Sequence, residues 1–345
     1  MLARKIALTT ILVIGLGLLA VPFVTDMLAK TQAVERLTGD LRPVFDPAAL
    51  KQTRTDLNTV QAMSDQLQSQ TLPALPAALK MSPAQFQAFL GDNFRDVATG
   101  VGQLNTILPR FHGLVGGLEA RSADFAKADQ IPTAWLPSTM VPFLFWIPGA
   151  ILTLLAAAGL FFTLRGERQA VGKSALWASV GVGAALMLAT VVLSVPEKGA
   201  AVDRIDATFG PVFTTAGADQ VRSDMNVVQA MSDELQAKTL PALAGALQMN
   251  PEQFEGFMVQ NFPDVATGVG QLNTILPRFQ GLASIIESDV SDFRVAMSIP
   301  TQDTATSTLA WWFVIPGILL LLAPAGALLE MRAQRPSGPR PEVVL

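Results

Sequence analysis

Four long runs of apolar residues alternate with polar segments along the chain. The runs are Ile6–Thr25, Thr139–Leu164, Ser174–Pro196 and Thr304–Leu329, and none of them contains a charged residue. Each is at least as long as the roughly 20 residues that an α-helix needs to cross the hydrocarbon layer of a bilayer. The pattern therefore predicts an integral membrane protein with four transmembrane helices.

The first run also resembles a signal peptide, because it follows the basic stretch "MLARK" and ends in small residues. Its apolar stretch is longer than the ~7–15 residues typical of such a segment. The third run occupies the corresponding place in the second half of the chain, where it is internal. We therefore interpret both runs as membrane anchors that are not cleaved.

The polar segments show the seven-residue periodicity of helical bundles. Apolar residues alternate by three and four from Val97 to Leu118, and again from Val265 to Phe293. This spacing predicts a helix over 96–127 and a second over 264–297, with Asp96 and Asp264 as the N-cap residues. The prolines inside them, Pro109 and Pro277, each remove one backbone donor and are expected to kink the helix.

Further helices are predicted before each of these. The stretches "MSPAQF" and "MNPEQF" have the pattern of a capping box, in which Ser82 pairs with Gln85 and Asn250 with Gln253. Upstream, apolar residues from Leu57 to Leu67 mark an amphipathic helix. No segment alternates strongly with period two, so the sequence predicts an all-α fold.

The two halves of the chain repeat each other. The stretch "VATGVGQLNTILPRF" occurs at Val97–Phe111 and again, unchanged, 168 residues later, and "VQAMSD", "TLPAL" and "IPG" return at the same offset. This register predicts an internal duplication. Repeat 1 covers residues 1–168, with a helical-bundle ectodomain at 26–138. Repeat 2 covers residues 169–345, with its ectodomain at 197–303 and a tail at 330–345. The two ectodomains are expected to lie side by side.

The buried stripe of the heptads does not account for the identity of the outward positions. Surface positions usually tolerate substitution within ~0.5 kcal/mol, so unchanged polar residues there indicate contacts. One interpretation is packing within the bundle or against the sister domain, and the other is a docking face for a partner. The residues concerned are Thr99, Gln103, Asn105, Thr106 and Arg110, with Thr267, Gln271, Asn273, Thr274 and Arg278.

The membrane segments contain two further patterns. Pro148 and Pro316 lie at matching depths, each followed by glycine, and are predicted to bend the second and fourth membrane helices. Gly181, Ala185 and Ala189 form a stripe of small residues on the third, a pattern suited to close packing against another helix.

Charge sets the expected orientation. Arg and Lys in the short segments lie near the N-terminus, in the loop around Arg165, Arg168 and Lys173, and in the tail at Arg332, Arg335 and Arg340. The positive-inside rule therefore predicts cytoplasmic termini and two extracytoplasmic ectodomains. Arg outnumbers Lys and Ala is abundant, which indicates a bacterial plasma membrane. The chain has no cysteine, so disulfides and thiol catalysis are excluded.

The sequence offers little for catalysis or for metal and cofactor binding. The single histidine, His112, is matched by Gln280, and neither a phosphate-binding loop nor a hydrolase or metalloprotease motif is present. The membrane runs contain no ionisable residue, which argues against an ion-coupled transporter. The second ectodomain has 14 acidic and 6 basic residues, a balance that repels nucleic acid.

These observations favour a non-enzymatic membrane protein, an accessory or scaffold subunit of a bacterial envelope complex that presents helical domains to an envelope partner. One alternative is a carrier or binding protein for lipid or another hydrophobic molecule at the outer face of the membrane. A second alternative is a sensor that depends on a partner for signalling, and an enzyme is the least favoured interpretation.

Overall fold

The computed structural model describes residues 2–165, 169–302 and 304–333. These residues form α-helices joined by short turns, with a π-helical turn at Leu67–Thr71 and another at Leu235–Thr239, and they contain no β-strand. The predicted all-α fold is therefore confirmed. Arg168, Arg335, Arg340 and most of the predicted tail lie outside the described residues.

The helices of the two halves follow the same order. The first half contains α1 (Leu2–Val24), α2 (Met27–Leu41), α3 (Pro47–Gln66), α4 (Leu72–Ala78), α5 (Pro83–Asn93), α6 (Arg95–Ala128) and α7 (Phe143–Leu164). The second contains α8 (Gln169–Val192), α9 (Val195–Phe209), α10 (Thr215–Glu234), α11 (Leu240–Ala246), α12 (Pro251–Asn261), α13 (Pro263–Ala296), α14 (Leu309–Leu322) and α15 (Ala325–Ala333). From α2 to α6, both ends of every helix are displaced by 168 residues from those of its counterpart.

Two compact units are formed, and each draws on both halves of the chain. An apolar unit comprises residues 1–36, 124–206 and 294–345, and a polar unit comprises residues 37–123 and 207–293. The division therefore does not follow the predicted repeats at 1–168 and 169–345. Its boundaries fall within α2, α6, α9 and α13.

In the apolar unit, four helical segments are long and apolar enough to cross a membrane. They cover Leu2–Val24, Ser138–Leu164, Gly172–Val192 and Thr306–Leu329, close to the four predicted spans. Pro148 lies inside α7 and Pro316 inside α14, and each helix continues through its proline.

Glycines allow the membrane-length helices to approach closely in pairs. A Cβ atom on Gly149 of α7 would lie 3.0 Å from the carbonyl oxygen of Gly15 in α1, and one on Gly183 of α8 would lie 2.8 Å from that of Gly317 in α14. Small residues at helix crossings are typical of membrane packing. The predicted stripe is placed differently, because a Cβ on Gly181 would have no neighbour within 4 Å. Close packing falls two residues later, at Gly183.

Two lysines bind loops of the opposite half within the apolar unit. Lys30 donates through Nζ to the carbonyl oxygens of Ser298 and Pro300, at 2.8 and 3.1 Å. Its counterpart Lys198 donates to those of Gln130 and Pro132, at 2.7 and 2.8 Å. Burial lowers the pKa of both lysines. Each half thus provides a cation that satisfies backbone carbonyls of the other.

The polar unit has one hydrophobic core to which both halves contribute. Leu104 and Leu272, from the repeated stretch, are fully buried in it together with Met63 and Met231. Phe111 and its counterpart Phe279 meet in a T-shaped contact, with ring centroids 5.5 Å apart. The heptad positions are thus buried as predicted, but they face a shared core.

The predicted helix signals are largely confirmed. The capping boxes at Ser82 and Asn250 both form. The long helices begin and end within one residue of the predicted bounds, and both continue through their prolines, Pro109 and Pro277.

The glycine contacts yield a test of membrane packing. We expect Gly183→Leu to lower the melting temperature of the detergent-solubilised protein, because overpacking a close helix contact costs about 1–3 kcal/mol. Gly181→Leu, on the same helix but with open space around it, is the matched control and should leave the melting temperature unchanged. Equal effects of the two substitutions would contradict the assigned packing.

Candidate functional site

The repeated stretch of each half is held by an ion pair to the other half. Arg110 on α6 donates through Nη1 to both carboxylate oxygens of Asp224 on α10, at 2.8 and 2.9 Å. Arg278 on α13 donates to Asp56 on α3, at 2.7 Å. Both aspartate side chains are almost entirely buried, at 6% and 3% exposure, whereas the arginines are nearly half exposed. The two pairs are 168 residues apart at both partners.

The buried carboxylates are also held by their own helices. Gln220 donates to Oδ1 of Asp224 at 2.8 Å, and Gln52 donates to Oδ1 of Asp56 at 2.7 Å. A buried charge is tolerated when it is both paired and hydrogen-bonded. The identity of Arg110 and Arg278 therefore has a structural cause, which is the neutralisation of a buried aspartate in the opposite half.

The first turns of the long helices are capped by side chains from the other half. The amides of Asp96 and Val97 donate to Oε2 of Glu234 at 2.7 and 3.0 Å. The amides of Asp264 and Val265 donate to Oε1 of Gln66 at 2.8 and 3.0 Å. Satisfying the free amides of a first turn stabilises a helix.

The prediction that Asp96 and Asp264 are the N-caps is therefore wrong. The helices begin at Arg95 and Pro263, so that each aspartate lies within the first turn and its own amide is one of those being capped. Burial alone would raise the pKa of Glu234, but the hydrogen bonds from Val97 and Asp96 and the nearby Lys238 outweigh burial and lower it. Glu234 therefore remains an anion at the positive end of the α6 dipole.

The first glycine of the repeated stretch also has a packing role. A Cβ on Gly100 would lie 2.6 Å from the side chain of Met231, and one on Gly268 would lie 2.6 Å from that of Met63. No side chain fits at such a distance without displacing the methionine. In contrast, a Cβ on Gly102 or Gly270 would meet nothing within 4 Å.

The predicted face divides into residues with partners and residues without. Asn105 donates to Gln68 of its own half at 3.0 Å, and Asn273 donates to Gln236 at 3.2 Å. Three residues on each long helix are exposed, and their side chains make no hydrogen bond within the described part of the chain. These are Thr99, Gln103 and Thr106 on α6, and Thr267, Gln271 and Thr274 on α13. Spacings of four and three place each set on one helix face.

One position breaks the correspondence between the halves. Arg121 donates to the hydroxyl of Thr208 at 2.9 Å, but the residues 168 positions away from these two are Asp289 and Asp40. Asp289 is only 4% exposed, and its Oδ2 atom accepts no hydrogen bond from any described residue. Burial, and next the neighbouring Asp40, raise the pKa of Asp289 to about 6. Among the described residues, no group of three acidic or histidine side chains is placed to hold a metal ion.

Sequence analysis missed the residues that receive the repeated arginines and the first-turn amides. Asp56 and Asp224 are identical at the offset of 168, so that a repeat comparison extended upstream would have found them. Gln66 and Glu234 differ in residue type, and only the three-dimensional structure reveals that both perform the same capping role.

Removing the cap from α6 should destabilise the protein. Glu234→Ala leaves the Asp96 and Val97 amides without their acceptor, which should cost about 1 kcal/mol of unfolding free energy. Glu234→Gln is the matched control, because glutamine already makes these two bonds at position 66. Chemical denaturation of the purified protein should rank the wild type and Glu234→Gln together, above Glu234→Ala. Equal loss in both variants would contradict the capping role.

The buried aspartate should make stability depend on pH. A folded-state pKa raised from 3.8 to about 6 favours the protonated acid, so its stabilising contribution is complete below pH 3.8 and is lost as pH rises through 6. Asp289→Asn should therefore raise the melting temperature at pH 7.5 and leave it nearly unchanged at pH 4. A gain of equal size at both pH values would contradict this assignment.

Comparisons with known proteins give no further indication of function. No protein-family model matches the chain, and no curated protein or solved structure is significantly similar to it. The function of the paired long helices has to be inferred from their own residues.

Proposed function

We propose that the protein is a non-enzymatic scaffold or accessory subunit of a bacterial envelope complex, in which the polar unit presents its long helices to a partner protein. In this proposal the two halves arose by duplication. The membrane-length helices hold the subunit in the plasma membrane, and the partner recognises the exposed faces of α6 and α13.

One observation supports this proposal above the others. Within a stretch of fifteen identical residues, the arginines, the asparagines and the first glycines have contacts inside the molecule. Thr99, Gln103 and Thr106 and their counterparts do not, although they are equally unchanged. Since surface residues are usually free to vary, a contact outside the molecule is the remaining physical reason for their identity.

The expected orientation follows from the positions of basic residues. The basic segments flank the apolar helices on the side of the termini and the central loop, so we place these on the cytoplasmic side and the polar unit on the outer side. The unit then faces envelope proteins. Neutral amide and hydroxyl groups on the exposed faces suit a partner that provides complementary hydrogen bonds.

The test is to disrupt both faces at once. Thr106→Arg combined with Thr274→Arg places a long cation in the centre of each face, and we expect it to reduce recovery of a co-purifying envelope protein by about tenfold or more. Loss of this size corresponds to about 1.4 kcal/mol. The measurement is affinity purification in mild detergent, followed by mass spectrometry of the proteins recovered.

Ala123→Arg combined with Ser291→Arg is the matched control. These exposed positions lie on the same two helices but differ between the halves, so partner recovery should stay at the wild-type level. A Gln103→Cys variant, which introduces the only thiol in the chain, should react with a membrane-impermeant maleimide added to the outer side. Unchanged recovery with both faces disrupted, or labelling from the cytoplasmic side alone, would sink the proposal.

A further inference from the structure

A cleft runs between α7 and α8 in the apolar unit. It has a volume of about 320 Å³ and is lined by apolar side chains apart from Thr190. Thr190 donates its hydroxyl proton to the carbonyl oxygen of Leu186 within α8, at 3.0 Å, so that it contributes no free donor. Pro148 and Ile151 form one wall, and Ala185 and Ala189 form the other. The stripe predicted to contact a helix therefore borders an opening.

The cleft continues toward the start of α9. A second cavity, of about 40 Å³, shares Leu144, Leu193, Val195 and Phe313 with the first and is also lined by Lys198. Phe313 forms part of the floor and is buried against Phe145, with ring centroids 4.5 Å apart. A continuous groove thus leads from the membrane-length part of α8 to a lysine just beyond it.

Lys198 has a donor to spare. Its ammonium group has three N–H bonds, and two of them go to the carbonyl oxygens of Gln130 and Pro132. These bonds fix Nζ beside the groove. The nearest carboxylate on the same turn, Glu197, is exposed and lies 3.9 Å from Lys127, so that a second cation accompanies it.

We propose that this groove is a binding site for one phospholipid with an acidic headgroup. The acyl chain lies in the cleft between α7 and α8, and the phosphate accepts a hydrogen bond from Lys198. This inference is independent of the partner proposed above and rests only on the apolar helices spanning a bilayer.

The occupant follows from the chemistry of the groove. An apolar cleft inside a bilayer is filled by hydrocarbon, because water finds no hydrogen-bonding partners there. A fixed cation at the end of such a cleft attracts anionic headgroups. Phosphatidylglycerol carries a net negative charge, whereas phosphatidylcholine has the same phosphate but no net charge, so that the two lipids separate the contribution of charge from that of the chain.

The test measures which lipid remains bound. The full-length protein is purified in mild detergent, mixed with equal amounts of phosphatidylglycerol and phosphatidylcholine, and analysed by native mass spectrometry. Wild-type protein should retain one phospholipid and prefer phosphatidylglycerol. Ala185→Phe combined with Ala189→Phe fills the cleft and should reduce retention of either lipid by about tenfold. Ala184→Phe, an exposed position on the same helix outside the cleft, is the matched control and should retain lipid.

The headgroup is tested separately. Lys198→Met should retain lipid but reduce the preference for phosphatidylglycerol by about fivefold. Lys30→Met, which loses the equivalent pair of carbonyl bonds, should keep the preference. Ile151→Trp, from the other wall, provides a second filled variant if the double phenylalanine protein does not fold. Equal retention in the filled variants and in Ala184→Phe, or no lipid preference in the wild type, would overturn the proposal.

Discussion

The polar unit is held together by contacts in which each half of the chain completes the other. A buried aspartate on the helix before the π-turn accepts the arginine of the opposite long helix, and the last residue of that same helix caps the opposite first turn. Neither charge would be tolerated in a dry interior alone. The ion pairs and the caps therefore fix the register of the long helices, and with it the positions of every exposed residue along them.

The differences between the halves are as informative as the identities. Gln66 and Glu234 cap equally well by geometry, but only the glutamate brings charge. Arg121 and Thr208 form a hydrogen bond where Asp289 and Asp40 oppose each other. The contacts that set the register are thus kept, whereas contacts near the ends of the long helices have changed. This distribution is expected when the scaffold is constrained and its periphery can acquire separate roles.

Much of the fold could be predicted because it depends on local patterns. Heptad spacing gave the long helices, and Ser82 and Asn250 gave their capping boxes, since these depend on residues close in sequence. The N-caps of the long helices could not be predicted, because their acceptors lie 138 and 198 residues away. For the same reason the face around Arg110 was only partly interpretable. The glycine packing was misplaced because small residues indicate a crossing only when the opposite helix is known.

The reciprocal capping has a consequence for the order in which the protein is made. Synthesis proceeds from the N-terminus, so α6 emerges well before Glu234, the acceptor of its first-turn amides. Asp56 likewise waits for Arg278. Until the second half is translated, a nascent first half carries an unneutralised carboxylate and half of a core. A ribosome-bound intermediate of this kind is expected to stay loose and protease-sensitive, and to close only when α13 arrives.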